Sequence, residues 1–448
     1  MIRQKQAYIE TFGCQMNDRD SEIMGQLLTE SSYLLTSKMS EADVVIINTC
    51  SIRGKAEEKA FSLLGRLKKK KQKKPSLIVA IAGCVAQQEG NKIFERMPHI
   101  DLVLGPQSIY RLPELLKDLE KNKHNKTATE QSTSFSIPAF LPSLKDNLIP
   151  HKKFVTIMQG CNNFCTYCVV PYTRGREVSR KLEDILAEVS HLAAKGIKEI
   201  TLLGQNVNSY GLEKTGELPP GGTSFPDLLR AVAGIEGVAR LRFTTSNPKD
   251  LSEDLMCCFT ELDNLCPHFH LPVQSGSNDV LKKMNRKYTI ESYLEKVAKL
   301  RGYSPGIAIT TDIIVGFPGE TENDFEATMD LLEKIRFHGL FSFKYSDRPH
   351  TRSNEFSDKV PEEIKSKRLA RLQSRQEEIN MERNLEYVGQ TLKIMVEGAS
   401  KSAEGQWSGR TGSNHIVNFN GHSNLRPGQI LEVTIDEACL HSLRGTLI

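Results

Sequence analysis

Residues 7–14 read AYIETFGC, residues 43–50 DVVIINTC and residues 77–84 LIVAIAGC. Each is a short run of β-formers, each ends on a cysteine, and each is followed by helix-compatible sequence. Strands alternating with helices imply a parallel sheet, whose strand ends all emerge at one edge. LVLG, residues 102–105, is a further strand candidate. Cys14, Cys50 and Cys84 are therefore expected to converge although more than thirty residues separate each from the next. Three thiols cannot all pair as disulfides, and isolated buried thiols have no reason to recur at strand ends. The reading is a joint metal site.

A second trio lies in GCNNFCTYC, residues 160–168. Cys161, Cys165 and Cys168 have C-x-x-x-C-x-x-C spacing, which can hold three corners of a 4Fe–4S cube and leave one iron without a protein ligand. An open coordination site points to chemistry, as it does for catalytic against structural zinc. Cys257, Cys258, Cys266 and Cys439 lack ligand spacing and read as core or surface thiols.

At 448 residues the chain calls for two or three domains. A quarter of its residues are charged and the net charge is only +4, so the whole-chain balance says little about partners. MIRQKQAYIE has no signal-peptide character, and no apolar run approaches a membrane span. A cytosolic protein with no membrane association is expected, where clustered cysteines suggest metal.

The chain is expected to divide into residues 4–120, a polar linker or strap over 121–146, residues 147–380 and residues 381–447. In the third segment FVTIMQG, EITLLGQN, RLRFTTSNP, HFHLPVQSG, GIAITTDIIVGF and LFSFKYSD alternate with amphipathic helix patterns such as LEDILAEVSHLAAKG and ENDFEATMDLLEKIRF. Six β/α units suggest a partial barrel, followed by a long helix from Pro361 through Asn380. TLKIMVEG, HIVNFNG and QILEVTIDEA then read as a small antiparallel β-barrel of the kind that binds single-stranded nucleic acid. The fold class is α/β, with a parallel-sheet domain, a partial (β/α)6 barrel and the small β-barrel.

Sites in β/α barrels lie at the C-terminal ends of strands. That face should collect GCNNFCTYC with Gln205, Asn206, Ser246, Gln274 and the GFPGET turn, residues 316–321. These residues form either a ligand cradle or ordinary turns, and Tyr167 packs on a ligand or shields a cluster. RLKKKKQKK, residues 66–74, carries seven positive charges in nine residues and is read either as a phosphate contact through Lys68, Lys69, Lys70 and Lys71 or as a solvated helix end. Arg368, Arg371 and Arg375 share a helix face and either track a nucleic-acid backbone or keep the helix soluble. From Arg383 onward there are six basic and six acidic residues, so RNA binding there would need local groups such as Trp407 or Phe419. Arg174 and Arg176, close behind the cysteine motif, are the better candidates for a substrate phosphate.

GCNNFCTYC, with an aromatic before its last cysteine, resembles the signature of radical S-adenosylmethionine (SAM) enzymes. TFGCQMN, NTCSIR and AGCVAQ resemble the three cysteine blocks of the methylthiotransferase family within that superfamily, VPYTRGREVSR and a TRAM-type terminal barrel fit its architecture, and GQNVNSYG (204–211) is most similar to its MiaB group. The resemblance implies two 4Fe–4S clusters, one on Cys161, Cys165 and Cys168 that cleaves SAM, and an auxiliary one on Cys14, Cys50 and Cys84 that carries sulfur. With SAM as the cofactor, the strand-end residues Gln205, Asn206, Ser246 and Gln274, with Tyr167, are the expected SAM contacts. It implies methylthiolation of carbon 2 of N6-isopentenyladenosine in the tRNA anticodon loop, with a reducing donor such as flavodoxin or ferredoxin. Threonylcarbamoyladenosine in tRNA, or a ribosomal protein aspartate, is the alternative substrate. A redox-sensing RNA-binding protein is the alternative of another class.

Overall fold

The computed structural model describes residues 4–51, 54–122, 124–132, 134–143, 150–213, 215–400 and 405–448. The expected junction at residues 146 and 147 falls outside the described residues, as do Ile52 and Arg53 of the second cysteine block. The chain divides into two compact units. One comprises Met1–Ser143, Thr156–Asn162 and Cys168–Glu188, the other Leu144–Val155, Asn163–Tyr167 and Val189–Ile448.

In the first unit the strands β1 (Gln6–Phe12), β2 (Leu34–Leu35), β3 (Val44–Thr49), β4 (Ile78–Gly83), β5 (Leu102–Leu104) and β6 (Lys126–Ala128) form one parallel sheet in the order β2-β1-β3-β4-β5-β6. Helices α1 (Gln15–Glu30) and α4 (Leu112–Asn122) cover one face; α2 (Gly54–Lys73) and α3 (Cys84–Glu89) cover the other. Strand side chains alternate between the layers, so the unbroken apolar run of β3 serves two cores: Val44 and Ile46 face the first, Val45 and Ile47 the second. The strand order reverses direction at β1 and β3, and ligands of open α/β sheets bind beyond the strand ends at such a switch point.

Two strands of this sheet were not anticipated in the sequence. Leu34–Leu35 and Lys126–Ala128 are the two sheet edges, and the second lies in the stretch expected as a linker. An edge strand needs backbone partners on one side only, so two polar residues and one buried alanine suffice and leave no apolar pattern to read.

In the second unit β7 (Lys152–Thr156), β8 (Glu199–Leu203) and β9 (Arg240–Thr244) form one three-stranded sheet, and β10 (His268–His270), β11 (Ala308–Val315) and β12 (Gly339–Lys344) form another. A parallel bridge between Leu241 and Leu265 joins them, giving the expected six-stranded open barrel. Its helices are α5 (Leu182–Ala194), whose residues up to Glu188 belong to the first unit, α6 (Phe225–Ala233), α7 (Glu253–Glu261), α8 (Ile290–Tyr303), α9 (Glu322–Ile335) and α10 (Glu362–Leu385). Helix α10 runs five residues beyond its expected end at Asn380. Arg368 pairs with Glu320 and Glu322, Arg371 with Glu326, and Arg375 with Glu333, Glu378 and Glu382. The arginine face therefore fastens α10 mainly to α9 and the turn before it.

The C-terminal strands β13 (Thr391–Ala399), β14 (Gln406–Thr411), β15 (Ile416–Asn420), β16 (Ile430–Cys439) and β17 (Ser442–Leu447) close into a barrel in the order β13-β14-β15-β17-β16. A closed ring of five strands cannot alternate direction throughout. Here β15 and β17 pair parallel, where a purely antiparallel barrel was expected. Arg240 and Arg242, on β9, donate to the carbonyls of Lys393, Arg410, Thr411 and Gly412 and so hold the small barrel to the larger one. Phe419 is 1% exposed in the small barrel's core, so it cannot stack on a base as expected. Trp407 is half-buried and packs against that core.

No helix among the described residues is long and apolar enough to cross a membrane.

Glu188 is fully buried in the first unit and binds Arg19 through one oxygen and Arg180 through the other. Removing one partner of a buried ion pair strands charge in a low dielectric. E188A is expected to lower unfolding free energy by about 3–5 kcal/mol, read from urea unfolding of the metal-free protein.

Candidate metal centres

Register explains the first trio. Phe12 of β1 lies level with Thr49 of β3, and Thr49 level with Gly83 of β4. Cys14 follows two residues after Phe12 as the N-cap of α1; Cys50 directly follows β3; Cys84 opens α3. The Cys50 amide donates to the Phe12 carbonyl at 3.0 Å, which locks two of the three loops together. Gly13 and Gly83 are required: φ is +142° and +92°, and a Cβ would stand 2.3 Å from the Cys50 Cβ and 2.4 Å from Asn48 Oδ1 respectively.

The thiol of Cys50 shares hydrogen bonds with both Cys14 and Cys84. Those bonds, and then the charge of Arg174, bring Cys14 down to about 7 and Cys84 to about 6 despite burial, while Cys50 is pushed up. Thiolate is the metal-binding form, so the surroundings favour ligation by Cys14 and Cys84. Buried beside the thiols are three polar atoms without hydrogen-bond partners among the described residues: Thr49 Oγ1, Ser51 Oγ and Arg174 Nη1. No set of three or more His, Cys, Asp or Glu there is arranged to hold a single metal ion. A donor set of three thiolates with buried N–H and O–H groups beside them fits an iron–sulfur cluster, whose sulfurs accept hydrogen bonds.

Arg174 departs from its expected role. It is 3% exposed; its Nη2 donates to Asp20 Oδ2 at 2.7 Å and to Asn17 Oδ1 at 3.3 Å, and it packs in the first unit beside Cys14 and Cys84. It is therefore not available to an RNA phosphate. Arg176 is exposed. In the basic run, which forms the end of α2, Lys71 is tied to Asp101 at 2.6 Å and Lys74 pairs with Asp43, so those two are structural. Lys68 and Lys69 are exposed and Lys70 is half-buried. A cleft of about 390 Å3 near the end of β1 is lined by Phe12, Glu58, Lys59, Ser62 and Arg66.

Cys161, Cys165 and Cys168 lie in the loop after Met158–Gln159, all half-buried. Gly160, at φ +82°, lets the chain pass Arg176, whose carbonyl a Cβ would meet at 2.1 Å, and the Cys161 amide donates to the Gly175 carbonyl. Residues 163–167 are held by a segment the sequence reading missed. Asn285 Nδ2 donates to the carbonyls of Asn163 and Phe164; Thr166 bonds to the carbonyls of Lys283 and Met284. Arg286 points Nη1 at Cys165 Sγ, 3.3 Å away, while Tyr288, Asn247 and the Pro272 carbonyl hold the rest of it. An arginine inside MNRKY (284–288), just past a short helix, carries no motif signal. Tyr167 packs edge-on against Phe317 at a centroid distance of 6.5 Å.

The predicted cradle residues all follow barrel strands. Gln205 and Asn206 follow β8, Ser246 follows β9, Gln274 follows β10, and Gly316 follows β11. Asn206 Nδ2 is committed to Ser209 and Asp250, but its Oδ1 and the Ser246 Oγ are buried without partners among the described residues. Gln274, at φ +74°, bonds through its backbone to Asp312 and Ile314. In the GFPGET turn Glu320 accepts from the Gly316 amide and from Arg368, yet burial pushes its carboxyl up to about 7.

Comparison with known proteins finds three family models on separate stretches of the chain. Residues 6–105 match the uncharacterized protein family UPF0004, residues 155–332 the Radical SAM superfamily and residues 385–448 the TRAM domain. A tRNA-2-methylthio-N(6)-dimethylallyladenosine synthase from Desulfotalea psychrophila is 56% identical over the full length of both chains. The chain belongs to this synthase family. Synthases of that name from Syntrophobacter fumaroxidans (98% of this chain, 95% of the relative) and Geotalea uraniireducens (all of both) are each 48% identical. The chain is thus an enzyme, a radical SAM tRNA methylthiotransferase, and the redox-sensor reading falls away. Among solved structures, the radical SAM methyltransferase TsrM from Kitasatospora setae, with cobalamin and a 4Fe–4S cluster bound, shares the fold at TM-score 0.55, 13% identity and 79% coverage of this chain and 77% of its own. OxsB, a cobalamin-dependent SAM radical enzyme, does so at TM-score 0.53, 15% identity and 83% and 56% coverage.

Gly83, at φ +92° and ψ −160°, occupies a region that only glycine adopts without strain. G83A is expected to cost about 1–3 kcal/mol and to displace Cys84. Urea unfolding should show the first. Reduced iron per chain after anaerobic reconstitution, with SAM cleavage retained, should show the second.

Proposed function

We propose that this enzyme transfers a methylthio group to carbon 2 of N6-isopentenyladenosine in the anticodon loop of tRNA. Cys14, Cys50 and Cys84 hold an auxiliary 4Fe–4S cluster that supplies the sulfur, and Cys161, Cys165 and Cys168 hold the cluster that binds SAM. The observation that carries this reading is the in-register convergence of the first three cysteines, joined to full-length likeness to the named synthases. When bound, the two clusters and SAM supply the electron, the methyl group, the radical and the sulfur. The protein's share is to bind, orient and exclude water.

Those tasks fall to identifiable residues. Asn206 Oδ1 and Ser246 Oγ, buried and unpartnered among the described residues, are the foremost candidates to accept or donate to SAM, with Gln205, Gln274 and Tyr167 beside them in the assignment. Arg286 orients Cys165. Arg176, Lys68, Lys69 and Lys70 remain the candidates for phosphate contact, and Lys59 and Arg66 line a cleft with Phe12 that suits a base and its phosphate. We assign residues 4–120, with the edge strand Lys126–Ala128 that completes its sheet, to the auxiliary-cluster domain, 147–380 to the radical SAM domain and 381–447 to the TRAM domain. The strap 121–146 joins the first two. The protein works in the cytoplasm with a low-potential donor of the flavodoxin or ferredoxin kind.

The substrate choice has a charge argument. A threonylcarbamoyl substituent brings a carboxylate, which when buried needs a cation. Arg174, the buried cation nearest the cysteine motif in sequence, is already paired with Asp20. An isopentenyl group needs no such partner. Anticodon-loop RNA carrying isopentenyladenosine, the same RNA carrying threonylcarbamoyladenosine, and ribosomal protein are incubated in parallel with reconstituted enzyme, SAM and dithionite. Mass spectrometry should find methylthio product on the first alone. Preferential product on either of the others would overturn the substrate assignment.

A further inference from the structure

Arg174 has five N–H donors in a planar fork, and the structure accounts for only part of it. Nη2 is spent on Asp20 and Asn17, whereas Nη1 is buried and has no partner among the described residues. A buried charged donor left unpaired is costly, so its position calls for an acceptor. The guanidinium lies against the Cys84 thiol, and Asn17 Oδ1 links it to Cys14, accepting from Cys14 Sγ at 3.4 Å and from Arg174 Nη2 at 3.3 Å. Asn17 and Asp20 stand three and six residues after Cys14, so one helical face carries both a thiol and the anchor of the arginine. Asn17 also bonds to Asn48, two residues before Cys50. One polar network thus underlies all three cysteine loops, and it ends in a guanidinium that reaches the Cys84 thiol and whose Nη1 meets no other acceptor among the described residues.

We propose that Arg174 is a positioning residue of the N-terminal metal centre, its free Nη1–H directed at a sulfur of the cluster held by Cys14, Cys50 and Cys84. This rests on the auxiliary-cluster reading above. The cation stabilises the reduced, more negative cluster over the oxidised one, so it raises the reduction potential and helps retain the cluster. Asp20 aims the guanidinium without receiving a cluster contact itself.

The test uses the full chain carrying C161A/C165A/C168A, in which only the N-terminal centre can load. Iron and sulfide are assayed first: an iron-free protein overturns the auxiliary-cluster reading and this proposal with it. The midpoint potential of the loaded cluster, followed by electron paramagnetic resonance, is then compared with that of R174Q/D20N in the same background. That double variant leaves no buried charge unpaired. If Arg174 faces the cluster, the potential moves to a more negative value; if Arg174 and Asp20 merely neutralise each other, it stays where it was, and the proposal fails. Should the double variant load no iron, R174K, which keeps the charge but loses the fork, is measured in its place: a more negative potential supports the proposal, and an unchanged one overturns it. A purely structural role would lower the urea midpoint of the metal-free protein and leave the potential unmoved.

Discussion

The register of three parallel strands governs the chemistry available to this chain. Once Phe12, Thr49 and Gly83 are level, three cysteines distant in sequence must leave the sheet side by side, at the switch in strand order where open α/β sheets bind ligands. A one-residue slip of β3 would exchange its two core faces, so burial of Val44 and Ile46 on one side and Val45 and Ile47 on the other fixes the position of Cys50. The hydrophobic cores therefore set the geometry of the three-cysteine cluster. Two glycines adapt the loops to it, because any side chain at positions 13 or 83 would strike the neighbouring loop.

Buried charge does the complementary work. Glu188 gathers Arg19 and Arg180 inside the first unit, while Asp20 and Asn17 hold Arg174 beside the thiols. Such pairs add little net stability over apolar packing, but they fix orientation, and breaking one is expensive. In the second unit, Arg240 and Arg242 bind carbonyls of the small barrel, and Arg286 is fastened on several sides before it reaches Cys165. Arginine recurs because its planar fork contacts several acceptors at once.

Much of this was legible in the sequence. Strands that end on cysteines, six β/α units and a terminal run of strands were readable because apolar periodicity reports burial directly. What escaped depended on partners distant in sequence. Lys71 looked like part of a cationic surface until Asp101, thirty residues away, proved to hold it. Arg174 looked like a phosphate ligand because its neighbourhood in the sequence is basic and polar, and Asp20 is visible only in the fold. Phe419 looked available for stacking, yet barrel closure turns it inward. Strand β6 escaped because an edge strand needs no apolar pattern, and Asn285 and Arg286 because their task is to hold a loop more than a hundred residues upstream.

The central claim is that the two cysteine sets are separate centres, each complete in itself. Crystals of the anaerobically reconstituted chain, with diffraction recorded on both sides of the iron absorption edge, test it most directly. The expected anomalous map shows two distinct iron clusters, one bounded by Cys14, Cys50 and Cys84 and the other by Cys161, Cys165 and Cys168. A single iron site, or one cluster drawing cysteines from both sets, would contradict it.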